Sequence, residues 1–355
     1  MTKKFQILEA TLRDGSYPIN FSFTSKDTSI ICKELEKAGF EYIEVGHGVG
    51  LNASNKGYGK AIQTDEEYML AAKKVLKKAK YGMFCIPGIA RLEDIELAGK
   101  YKMGFIRIGT NVTEVHKAKE FIAKAKEYNI FVTANFMKSY VLPPVEFAKK
   151  VKLVEEFGAD LVYIVDSAGG MFNDDLENYY RAIRRVSDIK IGFHGHDNLG
   201  MAISNCIKAV ELGIEFIDST LQGLGRSAGN ASTELLILSL IKLGYKPNID
   251  FLKVLEIGEK YIQPLIQTKG KPVLDMVAGF ADFHSSYMHF IHKYSAKYEV
   301  NPVLLIIEIC KVDRVSLDEK ILDKIARKIK KDKDLYLGKY NFNRYIGHEQ
   351  DDIKN

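Results

Sequence analysis

Eight short β-rich runs alternating with amphipathic stretches constrain this chain more than any other feature. The strand candidates are 5–12 (FQILEATL), 41–46 (EYIEVG), 81–87 (YGMFCIP), 104–110 (GFIRIGT), 131–137 (FVTANFM), 161–167 (LVYIVDS), 190–196 (KIGFHGH) and 215–221 (EFIDSTL). Between them, stretches such as 27–38, 66–79, 114–128, 144–157, 174–187 and 200–212 space apolar residues three and four apart, which predicts helices. Gly39, Gly158 and Gly213 stand where left-handed C-caps belong. The strands are mostly continuous runs of Val, Ile, Phe and Tyr rather than alternating ones. That pattern suits parallel strands covered on both faces.

An open doubly wound sheet alternates in the same way, and polar residues decide between the two. Arg13 and Asp14, Asp166 and Ser167, and His194 and His196 all fall at the C-terminal ends of predicted strands. A closed barrel gathers those ends on one rim, where barrel enzymes build their sites. The expectation is therefore a TIM (β/α)₈ barrel over 1–245. From 246 to 355 the strand pattern gives way to helices at 251–263, 274–298, 302–311 and 317–331, a C-terminal helical domain.

Composition narrows the function. The 51 Lys and Arg against 46 Asp and Glu leave a charge of only +5, with both signs interspersed, which argues against a nucleic-acid surface. No apolar run approaches the roughly 20 residues of a membrane helix. A strand begins almost at Met1, so no leader peptide is expected. Cys32, Cys85, Cys206 and Cys310 form no CxxC pair and read as free thiols in a reducing compartment. The expected location is the cytoplasm.

The sharpest chemical signal is His-Gly-His at 194–196. Side chains two apart on a strand share a face, so His194 and His196 can grip one ion. Only strand eight separates strands seven and one in a closed barrel, so Asp14 can complete a three-point site. Two imidazoles, one carboxylate and open positions suit a divalent cation. Arg13 beside Asp14 is placed to stabilise an oxyanion. Ser167 and the SAGG backbone can bind a carboxylate or form a plain turn. GHGVG at 46–50, with His47, and GLGRSAG at 223–229 match no dinucleotide fingerprint and read as close backbone approach to a site. Asn230 is a candidate ligand or supporting residue, and Asp166 a candidate supporting residue.

Together TLRDG (11–15), VDSAGG (165–170), HGHDNLG (194–200) and GLGRSAGNA (223–231) resemble the metal-dependent aldolase, lyase and synthase superfamily that includes hydroxymethylglutaryl-CoA lyase. GHGVGL at 46–51 and GFADFHSSY at 279–287 look most like the 4-hydroxy-2-oxovalerate aldolases. The resemblance implies a divalent metal on Asp14, His194 and His196, with Mn²⁺ expected and Mg²⁺ or Co²⁺ as alternatives. It implies that Arg13 stabilises a pyruvate enolate, that Ser167 meets the pyruvate carboxylate, and that His47 belongs to the substrate pocket. The implied reaction joins or cleaves pyruvate and an aldehyde at a 4-hydroxy-2-oxo acid.

Two departures from the aldolase pattern stand out. Those enzymes carry a catalytic histidine three positions after the RDG aspartate, where this chain has Tyr17. They carry a tyrosine just before the Ser-Ser pair, where this chain has His284. Our expectation is that the two face one substrate hydroxyl and that His284 is the base, because an imidazole titrates near pH 6.5. The exchange also points to an aldehyde other than acetaldehyde. Association into a homo-oligomer is expected. The resemblance implies an aldehyde dehydrogenase partner as one alternative, although the chain after 310 does not clearly follow the pattern of the aldolases that have one. The competing readings are a Claisen-type acyl-CoA/2-oxo acid synthase, a Schiff-base aldolase using Lys138, and an inactive scaffold.

Overall fold

The computed structural model describes residues 5–266, 272–333 and 335–345. The barrel expectation is borne out. Eight parallel strands close in chain order: β1 (Gln6–Glu9), β2 (Tyr42–Glu44), β3 (Lys80–Cys85), β4 (Phe105–Asn111), β5 (Phe131–Met137), β6 (Leu161–Asp166), β7 (Lys190–Gly195) and β8 (Phe216–Ser219), which pairs back onto β1. Around them run α1 (Ser25–Ala38), α2 (Asp65–Val75), α3 (Leu92–Lys100), α4 (Lys119–Glu127), α5 (Pro144–Glu156), α6 (Asn173–Arg184), α7 (Ala202–Leu212) and α8 (Thr233–Lys242).

Local chemistry sets these boundaries. Thr24 with Asp27, and Thr64 with Glu67, form reciprocal capping boxes that satisfy the first amides of α1 and α2. Gly39 closes α1 in the left-handed region at φ +105°. The strands alternate between two packing environments. Ile106 and Ile108 of β4 join the core between sheet and helices, whereas Phe105 packs inside the barrel with Leu8 and Ala10. Tyr42, Phe105, Phe131 and Phe216 stack edge and face across the lower barrel and plug it. One layer higher, the inward positions are Glu44, Arg107 and Asp218, all buried. The barrel is therefore apolar below and charged above, which sets the site on the upper rim.

Two expectations change. β1 stops at Glu9, so Arg13 and Asp14 lie in the turn after it, where Asp14 opens a 3₁₀ turn over Asp14–Ile19. The single helix expected over 274–298 is two, α10 (Val273–Ala281) and α11 (Met288–Tyr298), in the segment that follows α9 (Phe251–Ile257). Asp282, at φ +57°, turns the chain out of the helix, and the Phe283 amide closes the end on the Ala278 carbonyl at 2.8 Å. Periodicity alone reads through such a break because apolar spacing resumes on its far side.

Two further helices, α12 (Pro302–Cys310) and α13 (Glu319–Lys328), complete a second core built on Leu274, Met288, Ile291, Leu305 and Leu322. Val254, Ile257 and Ile262 instead pack with the barrel core. We therefore propose that the division drawn after 245 belongs after 266. Among the described residues no helix is long and apolar enough to cross a membrane.

Candidate active site

The end of β7 and the turn after β1 bring Asp14, His194 and His196 together, with one ligand atom from each within 4.8 Å of the others. All three are buried. Each histidine is oriented through Nδ1. His194 Nδ1 meets Asp218 Oδ2 at 2.9 Å, and His196 Nδ1 meets the Arg226 carbonyl at 3.2 Å. These acceptors place the ring proton on Nδ1 and leave Nε2 with its lone pair, the tautomer a metal requires. The Asp14 carboxylate accepts from Arg13 at 2.6 Å, from the Arg226 amide at 3.3 Å and from the Asn230 side chain. Burial would raise its pKa, but Arg13 with the two histidines holds it well below the ordinary carboxylate range. Burial pushes His196 down to about 3, which keeps it neutral and able to coordinate. Asn230 Oδ1 is buried with no hydrogen-bond partner among the described residues, an acceptor on the same amide that holds Asp14. Two imidazoles with Nε2 turned away from their hydrogen-bond acceptors, an ionised carboxylate and a buried amide oxygen fit a divalent cation.

Beneath the three runs a chain of buried charge. Arg13 Nε donates to Glu44 at 2.9 Å, Arg107 donates to the same Glu44 oxygen at 2.7 Å, and Arg107 also pairs with Asp218. Arg107 is 0% exposed and lies over the Tyr163 ring, 4.4 Å from its centroid. Asp218 therefore joins Arg107 to His194, and Glu44 joins Arg107 to Arg13. Burial would lower the Arg107 pKa, but Asp218 and Glu44 raise it, so the guanidinium stays charged.

Above lies a cavity bordered by Arg13, Tyr17, Ser167, Arg226 and His284 together with the three candidate ligands. His284 arrives from the helical segment through the break after α10 and also borders a second cavity, lined by Thr110, Asn111, Met137 and Lys138. Its Nδ1 lies 2.7 Å from Ser286 Oγ. Ser167 Oγ accepts from the Lys138 amide at 2.9 Å.

Three residues singled out from sequence hold other positions. His47 is stacked on Phe21, with Nε2 on the Gly59 carbonyl at 3.1 Å and Nδ1 accepting from the Val49 amide at 3.1 Å. Both nitrogens brace its loop, and it is absent from the described cavity lining. The Asp166 carboxylate accepts from the Gly170 and Met171 amides and so folds the SAGG turn; burial pushes it up to about 7. It supports His196 only through its backbone carbonyl, which accepts the His196 amide at 3.3 Å. Lys138, the Schiff-base alternative, sends Nζ to the Val315 carbonyl at 2.6 Å and to Tyr287 at 3.1 Å, which ties the barrel to the helical segment.

Sequence reasoning missed Glu44, Arg107, Asp218 and the side chain of Arg226. The first three did carry a signal. YIEV, IRIG and FIDS each hold one charge inside an apolar strand, and a charge buried in a parallel strand needs a partner.

The HMGL-like family model matches residues 4–260. A 4-hydroxy-2-oxovalerate aldolase from Carboxydothermus hydrogenoformans is 35% identical over 334 residues, covering 93% of this chain and 99% of that protein. An oxaloacetate decarboxylase from Mycobacterium tuberculosis is 38% identical over 250 residues, 70% of this chain and 74% of that protein. Among solved structures, the carboxyl transferase domain of Rhizobium etli pyruvate carboxylase superposes with a TM-score of 0.76 at 13% identity, covering 92% of this chain and 60% of that one. That last likeness is one of fold alone.

Proposed function

This chain belongs to the HMGL-like family, and we propose that it is a divalent-metal-dependent carbon–carbon lyase that interconverts a 4-hydroxy-2-oxo acid with pyruvate and an aldehyde. The observation that carries the reading is the convergence of Asp14, His194 and His196 at the floor of a cavity shared with Arg13 and His284. A divalent cation held by those three, Mn²⁺ on our reading, supplies Lewis-acid polarisation of the substrate ketone.

The protein's own groups account for the rest. Glu44 and Asp14 fix the Arg13 guanidinium, which also lies against the Phe84 ring at 4.9 Å. A cation positioned in advance stabilises charge as it develops on the ketone oxygen without reorganising. Ser167 is assigned the substrate carboxylate. His284 takes the proton of the C4 hydroxyl. The C3–C4 bond then breaks, its electron pair passing to C3 and the ketone oxygen, and C4 leaves as the aldehyde. Protonation of the enolate at C3 gives pyruvate. In the resting geometry Nδ1 of His284 accepts the Ser286 amide at 3.4 Å and lies 2.7 Å from Ser286 Oγ, so Nε2 becomes the basic nitrogen only when Nδ1 gives up the amide and donates to that hydroxyl. Tyr17 is assigned to the same hydroxyl as a pocket wall.

A second reading is favoured by the Mycobacterium tuberculosis relative. Decarboxylation of a 2-oxo acid carrying a carboxylate at C3 leaves the same enolate, with carbon dioxide in place of the aldehyde. The four free cysteines suit a reducing compartment, and the cytoplasm is where we place the enzyme. Exposed Leu235, Leu252 and Leu255 on α8 and α9 support our proposal of self-association.

The test is pyruvate release from a panel of 4-hydroxy-2-oxo acids and oxaloacetate by chelator-stripped protein, with and without Mn²⁺. Metal-dependent pyruvate from the hydroxy acids is the expected result. Metal binding without pyruvate from any compound refutes the reading and favours acyl-CoA condensation.

A further inference from the structure

We infer that Arg344, together with Asp275, is a positioning residue for the metal site: from the far end of the chain it clamps the loop that orients Asp14 and His196. The inference rests on the divalent-metal reading of that site and deepens it. Loop 223–230 lies directly against the candidate ligands, since a Cβ on Gly225 would strike the side chains of Asn230 and Asp14. The Arg226 amide donates to Asp14 at 3.3 Å, and the Asn230 side chain donates to the same carboxylate. The Arg226 carbonyl meets His196 Nδ1 at 3.2 Å. Two of the three ligands therefore take their orientation from this loop.

The shape of the loop carries strain. Ser227 sits at φ +57°, in the left-handed region that residues with a Cβ rarely adopt. Such a conformation persists where its surroundings over-determine it. Here side chains from three other parts of the chain converge on one serine. Its hydroxyl donates to Asp275 Oδ1 of α10 at 3.1 Å and accepts from Asn198 Nδ2 at 2.8 Å. Its carbonyl accepts from Arg344 at 2.9 Å, across 117 residues of sequence. Asn198 also donates to the Asp275 carbonyl at 2.8 Å, which gives the asparagine of HGHDNLG its duty. The Arg226 carbonyl lies in the peptide plane that the φ of Ser227 sets, so releasing Ser227 turns that acceptor away from His196.

Arg344 is aimed by its neighbours. It lies in the 3₁₀ turn Phe342–Tyr345, where Phe342 stacks on His292 and both Phe342 and Tyr345 are buried in the second core. Between those two anchors the guanidinium turns toward the barrel. One of its nitrogens holds the Ser227 carbonyl and another lies 3.3 Å from Asp275 Oδ2. A planar guanidinium can hold a carbonyl and a carboxylate at once in a fixed geometry. Tyr345 donates to the other Asp275 oxygen at 2.9 Å, so the carboxylate, 0% exposed, is held from both sides. The helical segment also grips the preceding residue, since Arg226 Nε donates to Ser285 Oγ at 2.9 Å. Docking of that segment is thereby coupled to the geometry of the metal ligands.

The experiment measures the Mn²⁺ affinity of the full chain by competition with a chromophoric chelator. It also measures hydrogen exchange of the 223–230 amides in the chelator-stripped protein. Arg344→Met, which keeps an unbranched side chain without charge or donors, is expected to weaken Mn²⁺ binding by about tenfold and to speed that exchange. Ile95→Ala is the control for stability alone. It opens a cavity on α3 in the barrel core, away from the loop, and is expected to leave both readings at the wild-type value. Mn²⁺ affinity in Arg344→Met within about threefold of wild type, or an equal loss in Ile95→Ala, overturns the inference. Should Arg344→Met not fold, Asp275→Asn removes the charge that faces Arg344 while keeping the shape of the side chain, and decides by the same threshold. Absence of pyruvate from a wild type that binds Mn²⁺ refutes the aldolase reading, and the affinity comparison still decides the clamp.

Discussion

Asp218→Asn separates what the buried charges do for the fold from what they do for the metal. Asp218 Oδ2 accepts from His194 at 2.9 Å and from Arg107 as well, at a position 2% exposed. Removing one partner of a buried ion pair typically costs about 3–5 kcal/mol, because the other charge stays behind in a dry interior. Glu44 still faces Arg107 at 2.7 Å, which puts the expected loss near the lower end, about 3 kcal/mol. Separately, an amide holds the His194 ring with less charge than a carboxylate, and losing such an orienting partner weakens metal binding by about 10- to 100-fold. Urea unfolding of the chelator-stripped protein reads the first quantity, and competition of Mn²⁺ against a chromophoric chelator reads the second. Arg107→Met is the control. It breaks the ion pair while leaving Asp218 on His194, so it is expected to lower stability comparably and metal affinity less. Mn²⁺ affinity in Asp218→Asn within about threefold of wild type would falsify the orienting role, whatever happened to stability.

Further outcomes follow from the same geometry. His284→Ala is expected to lower kcat for pyruvate release by about 10²- to 10⁴-fold while Tyr17→Phe keeps turnover; the opposite pattern moves the base to Tyr17. Ser286→Ala removes the hydroxyl that Nδ1 of His284 must donate to when Nε2 acts as the base, so steady-state kinetics should show a drop in kcat larger than any rise in KM. Glu9, buried between strand and helices, has its pKa pushed up to about 7 by burial against 4.5 in the unfolded chain. Its contribution is therefore fully present below pH 4.5 and lost as pH rises through 7, so Glu9→Gln should gain on wild type between pH 5 and pH 8 by up to about 3 kcal/mol in urea unfolding. Chelation should lower the Tm, since a cation at 100 times its Kd stabilises the native state by about 2.7 kcal/mol; an unchanged Tm would argue that no cation binds.

How much of this the sequence discloses depends on how locally each feature is encoded. The barrel is legible because each strand and helix announces itself within about ten residues, and the rim follows from polar groups at strand ends. The metal triad is legible because His194 and His196 are two apart on one strand and Asp14 follows the neighbour but one. His284 is legible only through its family motif; the helical periodicity of 274–298 hides the turn at Asp282 that delivers it. Arg107 is the opposite case. Its charge stands out in IRIG, but its partners Glu44 and Asp218 come from β2 and β8, and only barrel closure brings them together. The placement has a physical logic. An all-apolar filling of the upper barrel would pack at no electrostatic cost, yet it would leave Arg13 and His194 without fixed acceptors. The charged layer gives up some of that stability and in exchange gives Arg13 and His194 one orientation each. Directly above it stand Asp14, His194 and His196, where orientation decides chemistry.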